Sequence, residues 1–253
     1  MFMLILGLLL AGILAVASQR LFVYEDPRID EVEEMLPHAN CGACGTAGCR
    51  AFAEQLVAGE LQPGKCTVNS VEMNQQIAGF LGVDLGGEEK RVARLACAGG
   101  SNVAHTHASY TGLDTCRGAA LVSGGGKGCV WGCLGFGDCD EVCDFDAIIM
   151  DRQRLPVVDA DRCTACGDCV DICPRDLFSL QPVSHRLWVA CNNPEAGDAA
   201  EADCRVLCNG CGRCVADAPE GLITLQNKLA VVDYSRNALA SRLAIERCPT
   251  GAI

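Results

Sequence analysis

The chain has 253 residues, 20 cysteines and a formal net charge of −12. That charge argues against nucleic acid, whose phosphates would be repelled, and favours a protein partner with a basic face. The length, and cysteines set two or three residues apart, argue against a small disulfide scaffold and for metal capture. Only two Trp and three Tyr are present, so aromatic packing is scarce and metal binding must supply part of the folding energy.

The first element is "MFMLILGLLLAGILAVA", 17 apolar residues without a charge. As a helix it would reach about 26 Å, and "LFVY" after Arg20 extends it toward the interface. Ala15-Val16-Ala17 resembles a signal-peptide cleavage site, but no Lys or Arg precedes the apolar run. The expectation is an uncleaved transmembrane anchor over residues 1–24. Arg20 and Arg28 follow it, which places the bulk of the chain on the cytoplasmic side.

The first cysteine block, "NCGACGTAGCRAFAEQLVAGELQPGKC", holds Cys41, Cys44, Cys49 and Cys66. Gly42, Gly45 and Gly48 let the backbone wrap closely around a cube and aim N–H groups at its sulfurs. "RAFAEQLVAGE" reads as a short helix returning the chain to Cys66. Zinc is the alternative, but zinc ribbons usually carry two similar CxxC knuckles and this block has one. "VNSVEMNQQIAGFLGV" follows with helical apolar spacing and reads as core.

"CVWGCLGFGDCDEVCDFDAI" contributes Cys129, Cys133, Cys139 and Cys143, a stretched ferredoxin run. "CTACGDCVDICP" contributes Cys163, Cys166, Cys169 and Cys173 at the undistorted spacing C-x2-C-x2-C-x3-C-P. In two-cluster ferredoxins the fourth cysteine of each run serves the other cluster. The expected pairing is therefore Cys129, Cys133 and Cys139 with Cys173, and Cys163, Cys166 and Cys169 with Cys143. Between the runs, "AIIMDRQRLPVVD" reads as a hairpin.

"CNGCGRCVADAPEG" keeps Cys208, Cys211 and Cys214 but has Ala218 in the fourth slot. The tail "DYSRNALASRLAIERCP" has Ala238, Ser241 and Ala244 in the first three slots and keeps Cys248. By the crossover rule, Cys208, Cys211, Cys214 and Cys248 make one complete cluster. The four substituted positions are the whole ligand set of its neighbour, so this module should carry a single cluster.

Cys97, Cys116, Cys191 and Cys204 remain. They lie in a loose repeat in which "RLACAGG" resembles "LWVACNN". Free or buried thiols are the favoured reading; a fifth cluster on these four, or disulfides, are the alternatives. "SGGGKG" at 123–128 lacks the Ser or Thr of a phosphate loop and reads as a flexible approach to Cys129. His105 and His107 read as solvated, as does the acidic "EAGDAAEAD". No nucleophilic triad, paired-carboxylate signal or dinucleotide fingerprint is present. The fold expected is α+β: the anchor at 1–24, a [4Fe-4S] domain at 25–90, a two-cluster ferredoxin-like module at 91–182 and a one-cluster module at 183–253.

The apolar N-terminus, "DPRIDEVEEMLPHANCGACGTAGC" and the tandem runs with "GCVWGCLGFGDC" together resemble the B subunit of the Rnf complex, across essentially the whole chain. Longer members have a full two-cluster last module, from which this chain departs at Ala218, Ala238, Ser241 and Ala244. The resemblance implies an electron-transfer subunit of a bacterial membrane-bound, ion-translocating ferredoxin:NAD oxidoreductase, carrying four [4Fe-4S] clusters. It implies reduced ferredoxin or flavodoxin as donor, and membrane redox subunits and a flavin- and NAD-binding subunit as partners at the cytoplasmic membrane. A tethered polyferredoxin for another reductase, and a cluster scaffold or zinc protein, are the competing functions.

Overall fold

The computed structural model describes residues 2–20, 25–87, 89–195 and 197–253. The chain divides into two compact units, Met1–Gly86 and Gly87–Ile253.

In the first unit, α1 (Phe2–Arg20) is 19 residues long. Its Met3, Ile5, Leu8, Leu9 and Leu14 are exposed. Its apolar part, residues 2–17, gives about 24 Å of helix against the roughly 30 Å of a bilayer core. Among the described residues no helix is long and apolar enough to cross a membrane. The span expected over 1–24 is therefore not found, and its "LFVY" extension at 21–24 lies outside the described residues.

Helix α2 (Pro27–Glu34) starts where Asp26 accepts the Arg28 amide and Pro27 presets the first turn. Helix α3 (Cys49–Val57) and helix α4 (Val71–Leu81) follow. Ser70 caps α4 by accepting the Met73 amide, and Gly82 in the left-handed region ends it. Val32, Leu36, Phe52, Leu56 and Ile77 form one core. Arg50 of α3 ties the helices from outside, bonding Glu33 at 2.7 Å and also Glu25 and Asp30.

The second unit holds three antiparallel strand pairs. Strand β1 (Arg91–Leu95) begins it, followed by α5 (Cys116–Leu121) and α6 (Asp138–Glu141). Strands β2 (Ile148–Met150) and β3 (Pro156–Val158) form the hairpin expected between the two ferredoxin runs, in register Ile148↔Val158. Helix α7 (Asp168–Ile172) leads to β4 (Phe178–Pro182), which returns to pair with β1 from Arg91↔Pro182 to Leu95↔Phe178.

Helices α8 (Asp198–Asp203) and α9 (Arg213–Asp217) precede β5 (Ile223–Gln226) and β6 (Leu229–Val232), paired from Ile223↔Val232. Helix α10 (Leu243–Glu246) brings the chain back toward Cys248. The boundary expected at 182/183 lies inside this unit. Backbone bonds join its two halves: Ala98 N–H to Ala190 O, His105 N–H to Asp203 O, and Arg205 N–H to Val103 O.

Two local expectations change. The acidic stretch 195–203 is not wholly loop, since its second part is α8. Lys127 is not at the end of a loose tether: its Nζ donates to Gly99 O and Cys133 O, both at 2.5 Å. The turn before it is drawn tight by Gly124, Gly125 and Gly126, all at positive φ.

Candidate metal centres

The cores of the second unit are built partly from sulfur. Cys139, Cys163 and Cys169 sit in one, with Val92, Ile148 and Phe178. Cys208 and Cys214 sit in the other, with Leu222, Ile223 and Val232. Among the described residues no three His, Cys, Asp or Glu side chains form a group that could hold a single metal ion. Sixteen of the twenty cysteines line cavities, four to each.

Cys41, Cys44, Cys49 and Cys66 line one cavity in the first unit. Gly42 and Gly45 take positive φ there. Asn40 Oδ1 accepts the Cys49 amide at 2.8 Å, and Thr46 Oγ1 lies 3.1 Å from Cys44 Sγ. A Cβ on Gly48 would stand 2.8 Å from Asn40 Oδ1, so the bare backbone keeps that loop closed. Burial pushes the Cys66 thiol up, and the sulfurs of Cys44 and Cys49 add to it.

A second cavity is lined by Cys116, Cys133, Cys139 and Cys173. Cys173 arrives from the second ferredoxin run, as the crossover rule expects. Cys129 does not, and Cys116 stands in its expected place. The reason lies in Asp138, whose carboxylate accepts the amides of Cys116 at 2.7 Å and Arg117 at 3.2 Å. It draws the start of α5 against the run, while the turn closed by Gly132 N–H on Cys129 O swings Cys129 away. Burial pushes the Cys133 thiol up to about 12, aided by the Cys97 sulfur. It also raises Cys139, which feels Cys133, Cys116 and Cys173.

Cys143, Cys163, Cys166 and Cys169 form a third group. Burial pushes the Cys169 thiol up to about 12, and the sulfurs of Cys166, Cys163 and Cys143 add to it. The Ala147 amide donates to Cys143 Sγ at 3.3 Å.

Cys208, Cys211, Cys214 and Cys248 line another cavity. The Ala230 amide donates to Cys208 Sγ at 3.5 Å. Burial alone would raise the Cys248 thiol, but donors at Thr250, Ala252 and Ile253 outweigh it and lower the thiol below its ordinary value. Ala244, one of the substituted slots, is 1% exposed and packed in the apolar core beside this set.

Cys129 lines a further cavity with Cys97, Cys191 and Cys204. The twenty cysteines thus fall into five sets of four, and the residues left over in the sequence are absorbed into two of them. His105 and His107 join none. His107 is exposed and bonds Asp203 at 2.9 Å.

Comparison with known proteins agrees with this chemistry. The family model described as "Putative Fe-S cluster" matches residues 36–68, and the "4Fe-4S binding domain" model matches residues 155–178. The chain is 38% identical over 249 residues to the B subunit of the Na(+)-translocating ferredoxin:NAD(+) oxidoreductase complex of Acetobacterium woodii, covering 98% of this chain and 74% of the relative. It is 40% identical to the B subunit of the proton-translocating ferredoxin:NAD(+) oxidoreductase complex of Clostridium ljungdahlii, covering 99% and 89%. It is 35% identical to the B subunit of the ion-translocating oxidoreductase complex of Methanosarcina acetivorans, covering 98% and 94%. With its cysteine sets and this coverage, the chain belongs to the B-subunit family of Rnf-type ion-translocating ferredoxin:NAD(+) oxidoreductases.

Proposed function

We propose that this chain is the electron-input subunit of such a complex, accepting electrons from reduced ferredoxin or flavodoxin and relaying them to the partner redox subunits. The observation that carries the reading is the repeated cavity with four cysteines on its walls, recurring in both units. The holding residues proposed are Cys41, Cys44, Cys49 and Cys66; Cys116, Cys133, Cys139 and Cys173; Cys143, Cys163, Cys166 and Cys169; and Cys208, Cys211, Cys214 and Cys248. Cys116 replaces Cys129 in the second set. A [4Fe-4S] cluster supplies reversible one-electron chemistry in which no bond is made or broken.

The chain's own part is to bind, shield and tune. Thiolates fix the irons. Amides aimed at sulfur, from Ala147 and Ala230, stabilise the added negative charge of reduction. Cys211, exposed among otherwise buried or half-buried cysteines, makes the 208–248 set the most open to a partner.

Attachment to the membrane complex is assigned to α1, whose apolar side chains are exposed. The test is electron transfer in the anaerobically purified complex. Reduced ferredoxin should bleach the cluster absorbance of this chain and generate EPR signals before NAD(+) is reduced. A complex that reduces NAD(+) at full rate without this chain would overturn the reading. A chain freed from membranes by a salt wash alone would overturn the role of α1.

A further inference from the structure

The cavity that received Cys129 lies where the two halves of the second unit meet. Its walls include Cys97, Cys129, Cys191 and Cys204. Cys129 and Cys204 are buried, and Cys97 and Cys191 are half-buried. Two sulfurs converge on Gly99: a Cβ there would stand 3.1 Å from Cys204 Sγ and 3.6 Å from Cys97 Sγ. The buried amide of Asn193 approaches Cys129 Sγ at 3.8 Å.

The four residues come as two matching pairs. Cys97 ends "RLAC" and Cys191 ends "WVAC". Cys129 opens "CVWGC" and Cys204 opens "CRVLC", each four residues before the next cysteine. The amide of Cys133 donates to Cys97 Sγ at 3.3 Å. Each half of the repeat delivers the same pair, and the bridge Ala104↔Cys204 locks the halves together at this point. The Cys97 sulfur is near enough to act on Cys129, Cys191 and Cys204 alike. Two opposed thiol pairs around a cavity, with Lys127 on its wall, suit an anionic cluster better than four isolated thiols.

We propose that Cys97, Cys129, Cys191 and Cys204 hold a fifth [4Fe-4S] cluster, shared by the two ferredoxin-like halves. The inference rests on reading the other cysteine sets as [4Fe-4S] sites. Its position follows from its neighbours. Cys133 belongs to the Cys116 set and its amide bonds Cys97 Sγ, while Cys208 belongs to the Cys248 set and lies near Cys191. A cluster held here would stand between those two sets and would supply one-electron chemistry with no proton or bond exchanged. The four thiols lose their protons once, on assembly. Lys127 Nζ, held by Gly99 O and Cys133 O, places a positive charge beside the site and favours its reduced form.

The test is iron and acid-labile sulfide per full-length chain, purified anaerobically, with EPR spin counting after dithionite reduction. Five sites of four irons predict about twenty irons and about twenty sulfides. The variant C191A/C204A should hold about sixteen, and so should C163A/C166A, a control in the third set. About sixteen irons in the wild type, unchanged in C191A/C204A but reduced in the control, overturns the fifth site and leaves the other four standing. No loss in either variant overturns the reading of the cysteine sets as a whole. Should C191A/C204A fail to accumulate, the wild-type count decides between twenty and sixteen.

Discussion

The backbone N–H of Cys133 donates to the sulfur of Cys97 at 3.3 Å, although the two residues line different cavities. Adjacent sets are thus joined by a single peptide unit, and a residue's set cannot be read from its run. The expectation is that Cys116→Ala removes about four irons, because Cys116 completes the set of Cys133, Cys139 and Cys173. Iron analysis checks it. If Cys129 filled that role, Cys116→Ala would keep its iron in full.

Cluster loss should depend on pH with a definite sign. Burial holds the free Cys133 and Cys169 thiols up to about 12, far above the pH of any ordinary assay. The thiolates released at these two positions by iron removal in a folded site therefore take up protons, and falling pH favours the cluster-free chain. Titration with an iron chelator, followed by the cluster absorbance, should reach its midpoint at lower chelator concentration at pH 6 than at pH 9. A midpoint that does not move would contradict thiolate ligation. The same titration should loosen the second unit, whose cores count cysteines among their members.

At the C-terminus, Cys248→Ala should remove about four irons, and Ser241→Ala none. Ala244 is 1% exposed against Leu222 and Ile223. Ala244→Asp would bury a charge in that apolar core and should destabilise the module by about 3–5 kcal/mol. Chemical denaturation checks this. An Ala244→Asp chain as stable as the wild type would show the position open to solvent or to a ligand.

In the first unit, two residues of α3 contribute in different ways. Phe52 is 1% exposed in the core, and Phe52→Ala should cost about 3–5 kcal/mol. Arg50 is 38% exposed and keeps its charge through bonds to Glu33, Asp30 and Glu25. Arg50→Ala should lower the melting temperature by less than Phe52→Ala. That loss should shrink in about 1 M salt, where screening shortens to about 3 Å. An Arg50→Ala loss that salt leaves unchanged would assign Arg50 to packing.

Short-range spacing made much of this legible. Three cysteines two residues apart, as at 163, 166 and 169 or at 208, 211 and 214, can reach one object whatever the rest of the chain does, because one local turn sets all three. The hairpin at 148–158 and the helix at 71–81 were legible for the same reason: periodicity and caps act within a few residues. The substitutions at Ala218, Ala238, Ser241 and Ala244 could be sorted because a known crossover rule links the two ends of a module. The paired C-x3-C stretches at 129 and 204 were a visible signal, but spacing alone did not say that they face one another.

Tertiary structure decided the rest. Cys97, Cys116, Cys129, Cys191 and Cys204 lie in segments joined by long loops, whose closure costs little and varies slowly with length, so spacing holds no record of which ends meet. That was set by Asp138 gripping the amide of Cys116, by the turn at Gly132, and by the backbone bonds between Ala98 and Ala190 and between Arg205 and Val103. The apolar N-terminus shows the same division: composition determined that a helix would form there, and its actual extent, ending in Ser18, Gln19 and Arg20, left it short of a bilayer.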